Sequence, residues 1–132
     1  MTRTLLIHSG LAPFSEAMGM ETLTATPELF EMRLAVRDWL TNRKGDLHGG
    51  ATAALIDTSA GLAAIQGLPE GTASSTVSMT INYLAPGRGS LRSLARCTRR
   101  GRSLTFVEVE VFDAGDALIA TASLVMKLFL PR

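Results

Sequence analysis

Cysteine and histidine are nearly missing: the 132 residues contain one Cys and two His. Cys97 on its own closes no intrachain disulfide, and no Cys/His cluster has the spacing of a zinc site, so neither a metal nor a cofactor is expected. An excess of one charge is also lacking. Thirteen basic and 12 acidic residues leave a formal net charge of +1, which excludes a general nucleic-acid or membrane-surface binder and makes any anion site a local one. The longest apolar runs are too short to span a bilayer, and the N-terminus lacks a basic region followed by an unbroken apolar core. No membrane partner and a cytoplasmic location are therefore expected. Repeats and low-complexity segments are absent, and the length suits one domain over 1–132 that buries roughly two-thirds of its unfolded surface. The segment 1–12 is expected to be loosely held, and His8 is given no role.

What is present centres on Leu47-His48-Gly49-Gly50 and the proline-free run that follows. Many Ala, with Leu55, Leu62 and Ile65 as a bulky stripe, predict a helix over 49–66 of about five turns, with Asp57 near its middle. Steps of three and four from Asp57 reach Gly50, Ala53, Ala54, Ala60, Gly61 and Ala64, a face of small residues. A helix with no charged face is usually buried, so an ionised Asp57 there requires partners, and carboxylates in such settings are the ones tuned for reaction. A solvated or structurally bonded Asp57 is the plainer alternative. At the helix start, Gly49 and Gly50 leave unpaired backbone N–H groups and the positive dipole end open to a developing oxyanion.

The rest of the chain reads mainly as strands. Pro13 to Met18 predicts a short helix stopped by Gly19. Strands are expected over 20–25 and 29–36, the second with Phe30, Met32, Leu34 and Val36 alternating against polar neighbours. A polar loop over 38–46 holds Trp39 as an anchor and Asn42, which is either a turn former or an amide for a substrate carbonyl. After the breaker cluster around Pro69, strands are expected over 76–84, 91–99, 104–112 and 118–129, joined by short turns. The plan is α+β: one helix on the concave face of a curved antiparallel sheet of five or six strands.

From about residue 13 to 130 the chain resembles the hotdog-fold acyl-CoA thioesterases of the PaaI-like, 4-hydroxybenzoyl-CoA thioesterase type. The likeness rests on Asn42 through Asp57 with Leu47-His48-Gly49-Gly50 inside it, on Thr76-Val77 through Asn82-Tyr83-Leu84-Ala85-Pro86, and on Arg99-Arg100-Gly101-Arg102. It implies hydrolysis of an aryl- or medium-chain acyl-CoA to free acid and CoA, at a site shared by two protomers. In such enzymes the backbone N–H matching Gly49 polarises the thioester carbonyl, and the Asn and His matching Asn42 and His48 support that end. The carboxylate matching Asp57 activates water or attacks the carbonyl, and a hydroxyl matching Thr76, or Ser75 one residue earlier, orients it.

Arg99, Arg100 and Arg102 form a compact cationic turn for the CoA phosphates or simply a solvated hairpin tip, with Arg88 a weaker candidate. CoA is then part of the substrate and no separate cofactor is implied. The resemblance also implies a dimer made by joining sheets, or a dimer of dimers. Two rival functions follow from the same fold: an acyl-CoA sensor that binds without turnover, and a dehydratase, which needs a His as base.

Overall fold

Along β-structure one side of the chain can be buried while the other stays in water, and 104–112 shows this most clearly, with Thr105, Val107, Val109 and Val111 buried. The computed structural model describes residues 10–132. The expectations for His8 and for most of the segment 1–12 fall outside them. In order, the elements are α1 (Pro13–Met18), β1 (Glu21–Ala25), β2 (Phe30–Ala35), a 3₁₀ turn (Asp38–Leu40), α2 (Gly49–Ile65), β3 (Ala73–Tyr83), β4 (Ser90–Arg100), β5 (Leu104–Phe112) and β6 (Leu118–Phe129). The strands make one antiparallel sheet in the order β1-β2-β4-β5-β6-β3. It curves around α2, which packs against β2 through β6, and this is the hotdog architecture.

Two expectations are corrected. Only part of the small-residue face expected around Asp57 is there: Ala53, Ala54 and Gly61 share it, while Ala60 and Ala64 do not. Ala51, Ala60, Ala63 and Ala64 point into the core with Leu55 and Ile56, whereas Asp57 lies half-buried with Ala53, Ala54, Thr58, Gly61, Leu62 and Ile65. At about 100° per residue, Asp57 is turned away from the sheet-facing side that Ile56 occupies. The core face has its own polar pair instead. Ser59 Oγ donates to Leu55 O at 2.7 Å and sits 2.5 Å from Ser93 Oγ, so both fully buried hydroxyls are satisfied.

The second correction concerns the strands after α2. β4, β5 and β6 pair in sequence order, but β3 pairs with β6, and residues 84–89 carry the chain across the end of the sheet to place β4 beside β2. Leu47 N–H donates to Gly87 O at 2.9 Å and Val36 N–H to Gly89 O at 3.3 Å, which hold this crossing in place. A Cβ at Gly87 would stand 3.2 Å from Leu47 Cβ and 3.3 Å from Ile119 Cδ1, so a larger residue there would press on both side chains. In consequence β3 is an edge strand. Val77, in a bulge between Thr76 and Ser78, is 59% exposed on it.

Candidate active site

The bulge in β3 turns Thr76 toward α2, and its Oγ1 donates to Asp57 Oδ1 at 2.5 Å. Of the two hydroxyls considered from sequence, Thr76 is the one that reaches the carboxylate, because neighbouring strand residues point to opposite faces. Asp57 also lines a cavity of about 280 Å³ between α1, α2 and β3. A carboxylate with one oxygen held by a hydroxyl and an opening beside it can accept a proton from a bound water.

The start of α2 is built separately. His48 is its N-cap, accepting from Gly50 N–H through Nδ1 at 2.9 Å, and that bond leaves the ring proton on Nε2. A Cβ at Gly50 would come within 3.1 Å of His48 Nδ1, so this glycine is explained by the cap. Gly49 is different. Its nearest neighbour is the Tyr83 ring at an ordinary 3.5 Å from a Cβ position, so packing inside the chain does not demand glycine. As first helical residue it has an N–H without an acceptor among the described residues. Tyr83 Oη donates to Gly49 O at 2.8 Å and pins this turn, a role the sequence reading missed because it depends on the register of β3 against the helix.

Asn42 Oδ1 accepts from Lys44 N–H at 2.9 Å and Asp46 N–H at 3.2 Å, so the residue does form the turn, while its Nδ2 has no acceptor among the described residues. Asn42, Gly49 and Tyr83 line a second cavity of about 210 Å³. His48 lies outside it, beside Trp39 and Phe14. From Gly49 to Asp57 is eight residues of helix, about 12 Å of rise, so one chain does not bring the carboxylate and this N–H to the same atom.

The cationic turn is not uniform. Arg100 donates through Nη1 to Ala64 O at 2.7 Å and through Nη2 to Ala63 O at 3.2 Å, and so caps the C-terminus of α2. Arg99 and Arg102 are exposed and remain available to a ligand. Between them, Gly101 approaches Leu104 O so closely that a Cβ would be 2.6 Å away. Arg88 is paired with Asp46 at 2.9 Å.

Residues 44–120, from the Asn42 turn through the helix to β6, carry the sequence signature of the thioesterase superfamily. The chain belongs to that superfamily. It is 31% identical to acyl-coenzyme A thioesterase 13 of Homo sapiens over 81% of this chain and 79% of that protein. The mouse protein of the same name aligns over 64% of its own length. A thioesterase family protein from Silicibacter pomeroyi superposes with a TM-score of 0.84 at 26% identity, covering 91% of each chain. The fold is also that of the E. coli PaaI protein, with a TM-score of 0.82 at 19% identity over 89% of this chain and 85% of that one. Thioester hydrolysis is therefore the reaction class of this thioesterase. Among its described residues no helix is long and apolar enough to cross a membrane.

Proposed function

We propose that the thioesterase hydrolyses an aryl- or medium-chain acyl-CoA to free acid and CoA at a site made by two copies of the chain. The observation that carries this is the separation within one chain. Asp57 and Gly49 N–H line different cavities about 12 Å apart along α2, so each lacks the other's chemistry. The free edge of β3 supplies the remedy. Antiparallel pairing of two β3 strands centred between Met79 and Thr80 sets Tyr83 of one copy opposite Thr76 of the other. The Gly49 turn and the Asp57 carboxylate then come together twice per dimer. Leu104 and Phe106, half-exposed on the outer face of the sheet, offer apolar area for two such dimers to join as a tetramer. A cytoplasmic location belongs to the same reading.

The reaction runs in two steps. Asp57 takes a proton from water as its oxygen bonds to the acyl carbon, while the carbonyl oxygen becomes an oxyanion facing Gly49 N–H of the other copy. Thr76 holds the carboxylate, and Asn42 Nδ2 is a second donor near the oxyanion. The carbon–sulfur bond then breaks, the electron pair leaves on sulfur, and Asp57 returns the proton to the CoA thiolate. Arg99 and Arg102 contact the CoA phosphates. A preformed N–H donor of this kind is typically worth about 10²–10³ in rate. His48 does not suit a dehydratase base, since its Nδ1 is engaged with Gly50 N–H.

Mixing two inactive variants tests the shared site. Asp57→Asn spoils one half and Gly49→Val obstructs the other, so each alone should be nearly inactive. A mixed dimer holds one site with both halves intact, and random exchange should restore about a quarter of parental activity. Absence of any recovery in verified mixed dimers refutes the two-copy site.

A further inference from the structure

We infer that the hydroxyl of Thr52 is a further catalytic donor, which holds the thioester oxyanion together with Gly49 N–H. This deepens the proposed function and rests on it for placing the thioester carbonyl at the Gly49 turn. The first turn of α2 has little else to give. Gly50 N–H is spent on His48 Nδ1 at 2.9 Å, and the N–H groups of Ala51 and Thr52 both donate to His48 O, at 2.9 and 3.2 Å. Of the amides that a helix start leaves over, Gly49 N–H alone has no acceptor among the described residues. A preorganised oxyanion site works by aiming several donors at the developing charge.

The hydroxyl of a helical threonine ordinarily turns back to the carbonyl three or four residues earlier. For Thr52 both are occupied. His48 O, four back, already accepts two N–H groups, and Gly49 O, three back, accepts Tyr83 Oη at 2.8 Å. Thr52 is 3% exposed, its hydroxyl has no partner among the described residues, and it lines the same cavity of about 210 Å³ as Gly49. A buried hydroxyl left unpaired is costly, so one that faces a cavity calls for an occupant that accepts from it. Residues three apart share a helix face and side chains lean toward the helix N-terminus, so Thr52 overhangs the turn that Gly49 leaves bare. The other polar groups in the wall fix the sign of that occupant. Asp46 is tied to Arg88 at 2.9 Å and Asn42 Oδ1 to the loop amides, while Asn42 Nδ2, Lys44 Nζ and Gly49 N–H have no acceptor among the described residues. Such a wall suits an oxygen that gains negative charge as water attacks the acyl carbon.

Thr52→Val removes the O–H and keeps the shape, whereas Thr52→Ser keeps the O–H. With the CoA ester that the parent turns over fastest, kcat of Thr52→Val should fall about 10²-fold with KM within about twofold of the parent. Thr52→Ser should stay within about threefold of parental kcat. The melting temperature of Thr52→Val should match or exceed that of the parent, since an unpaired hydroxyl gives way to a methyl group. The donor role is overturned by a parental kcat in Thr52→Val, by a KM that rises alone, by a Thr52→Ser as slow as Thr52→Val, or by a lower melting temperature with kcat per folded molecule kept. Asp57→Asn measured beside them separates the two readings. If Asp57→Asn is inactive and Thr52→Val is not, the donor falls and hydrolysis through Asp57 stands. If Thr52→Val is the slow one and Asp57→Asn keeps its kcat, the base falls and the donor stands.

Discussion

Replacing Asp57 by Asn keeps the shape of the side chain and removes its capacity as a base. Thr76 Oγ1 now donates to Asp57 Oδ1 at 2.5 Å, and the amide oxygen of Asn can accept the same bond, so the geometry of the bulge should survive. Removing a carboxylate that is buried without a partner would stabilise a fold. With Asp57 half-buried and paired, that gain is not expected. The change should amount to less than the worth of one hydrogen bond, about 1 kcal/mol, and move the melting temperature by no more than about 4 °C. The effect on chemistry is of another size. A positioned base contributes about 10²–10⁴ in rate, which is about 2.7–5.4 kcal/mol of barrier at 1.36 kcal/mol per factor of ten. On the proposed role KM should change little, since a base acting on water leaves the CoA contacts intact. Continuous detection of released CoA thiol over a range of thioesters gives kcat and KM, and thermal unfolding of the same samples gives stability. A folded Asp57→Asn protein with near-parental kcat would refute the assigned role, and so would a variant whose lost activity only tracks lost folded protein.

Tyr83→Phe keeps the ring against Gly49 and deletes the bond from Oη to Gly49 O. We expect kcat to fall about tenfold through a displaced oxyanion donor, with a smaller change in KM and about 1 kcal/mol or less in stability; an unaltered kcat would show that Tyr83 does not position the turn. The arginines should separate cleanly. Arg100→Ala removes two charge-assisted bonds from the end of α2 and should cost about 1 kcal/mol of stability at this exposed site, read as a lower melting temperature. Arg99→Ala with Arg102→Ala should leave the melting temperature in place and raise KM for CoA esters more than it lowers kcat. If a truncated thioester lacking the nucleotide suffers equally from the latter change, the phosphate contact is wrong.

Much of this architecture was legible because it follows local periodicity. Alternation along 104–112 forecasts β5, the proline-free Ala-rich run forecasts α2 to within one residue of its end, and Pro13 with Gly19 marks both limits of α1. The start of α2 at Gly49 was visible for the same reason, since a Gly-Gly step is a short-range feature, whereas the cap by His48 was not foreseen. Sequence-adjacent strands suggested a simple run of hairpins after α2, and there locality misled. Sheet order depends on a crossing that packs Gly87 against Leu47 and Ile119, both far from it in the chain.

By itself the sequence determined the α+β plan, the central helix, and a carboxylate on that helix downstream of an unfilled helix start. Only the tertiary structure decided which side of α2 Asp57 occupies, because a rotation of about 100° between neighbouring residues separates core from cavity. The register of β3 against α2 likewise chose Thr76 as the partner of Asp57 and Tyr83 as the clamp on Gly49. The turn at Arg99-Arg100-Gly101-Arg102 shows the same division: its charge is plain in the sequence, but Arg100 is spent on the carbonyls of Ala63 and Ala64 because β4 ends beside the last turn of α2. Ser15 and Thr58 meet across 43 residues. Nothing local brings them together, since such contacts depend on how elements pack and not on the order in which they occur.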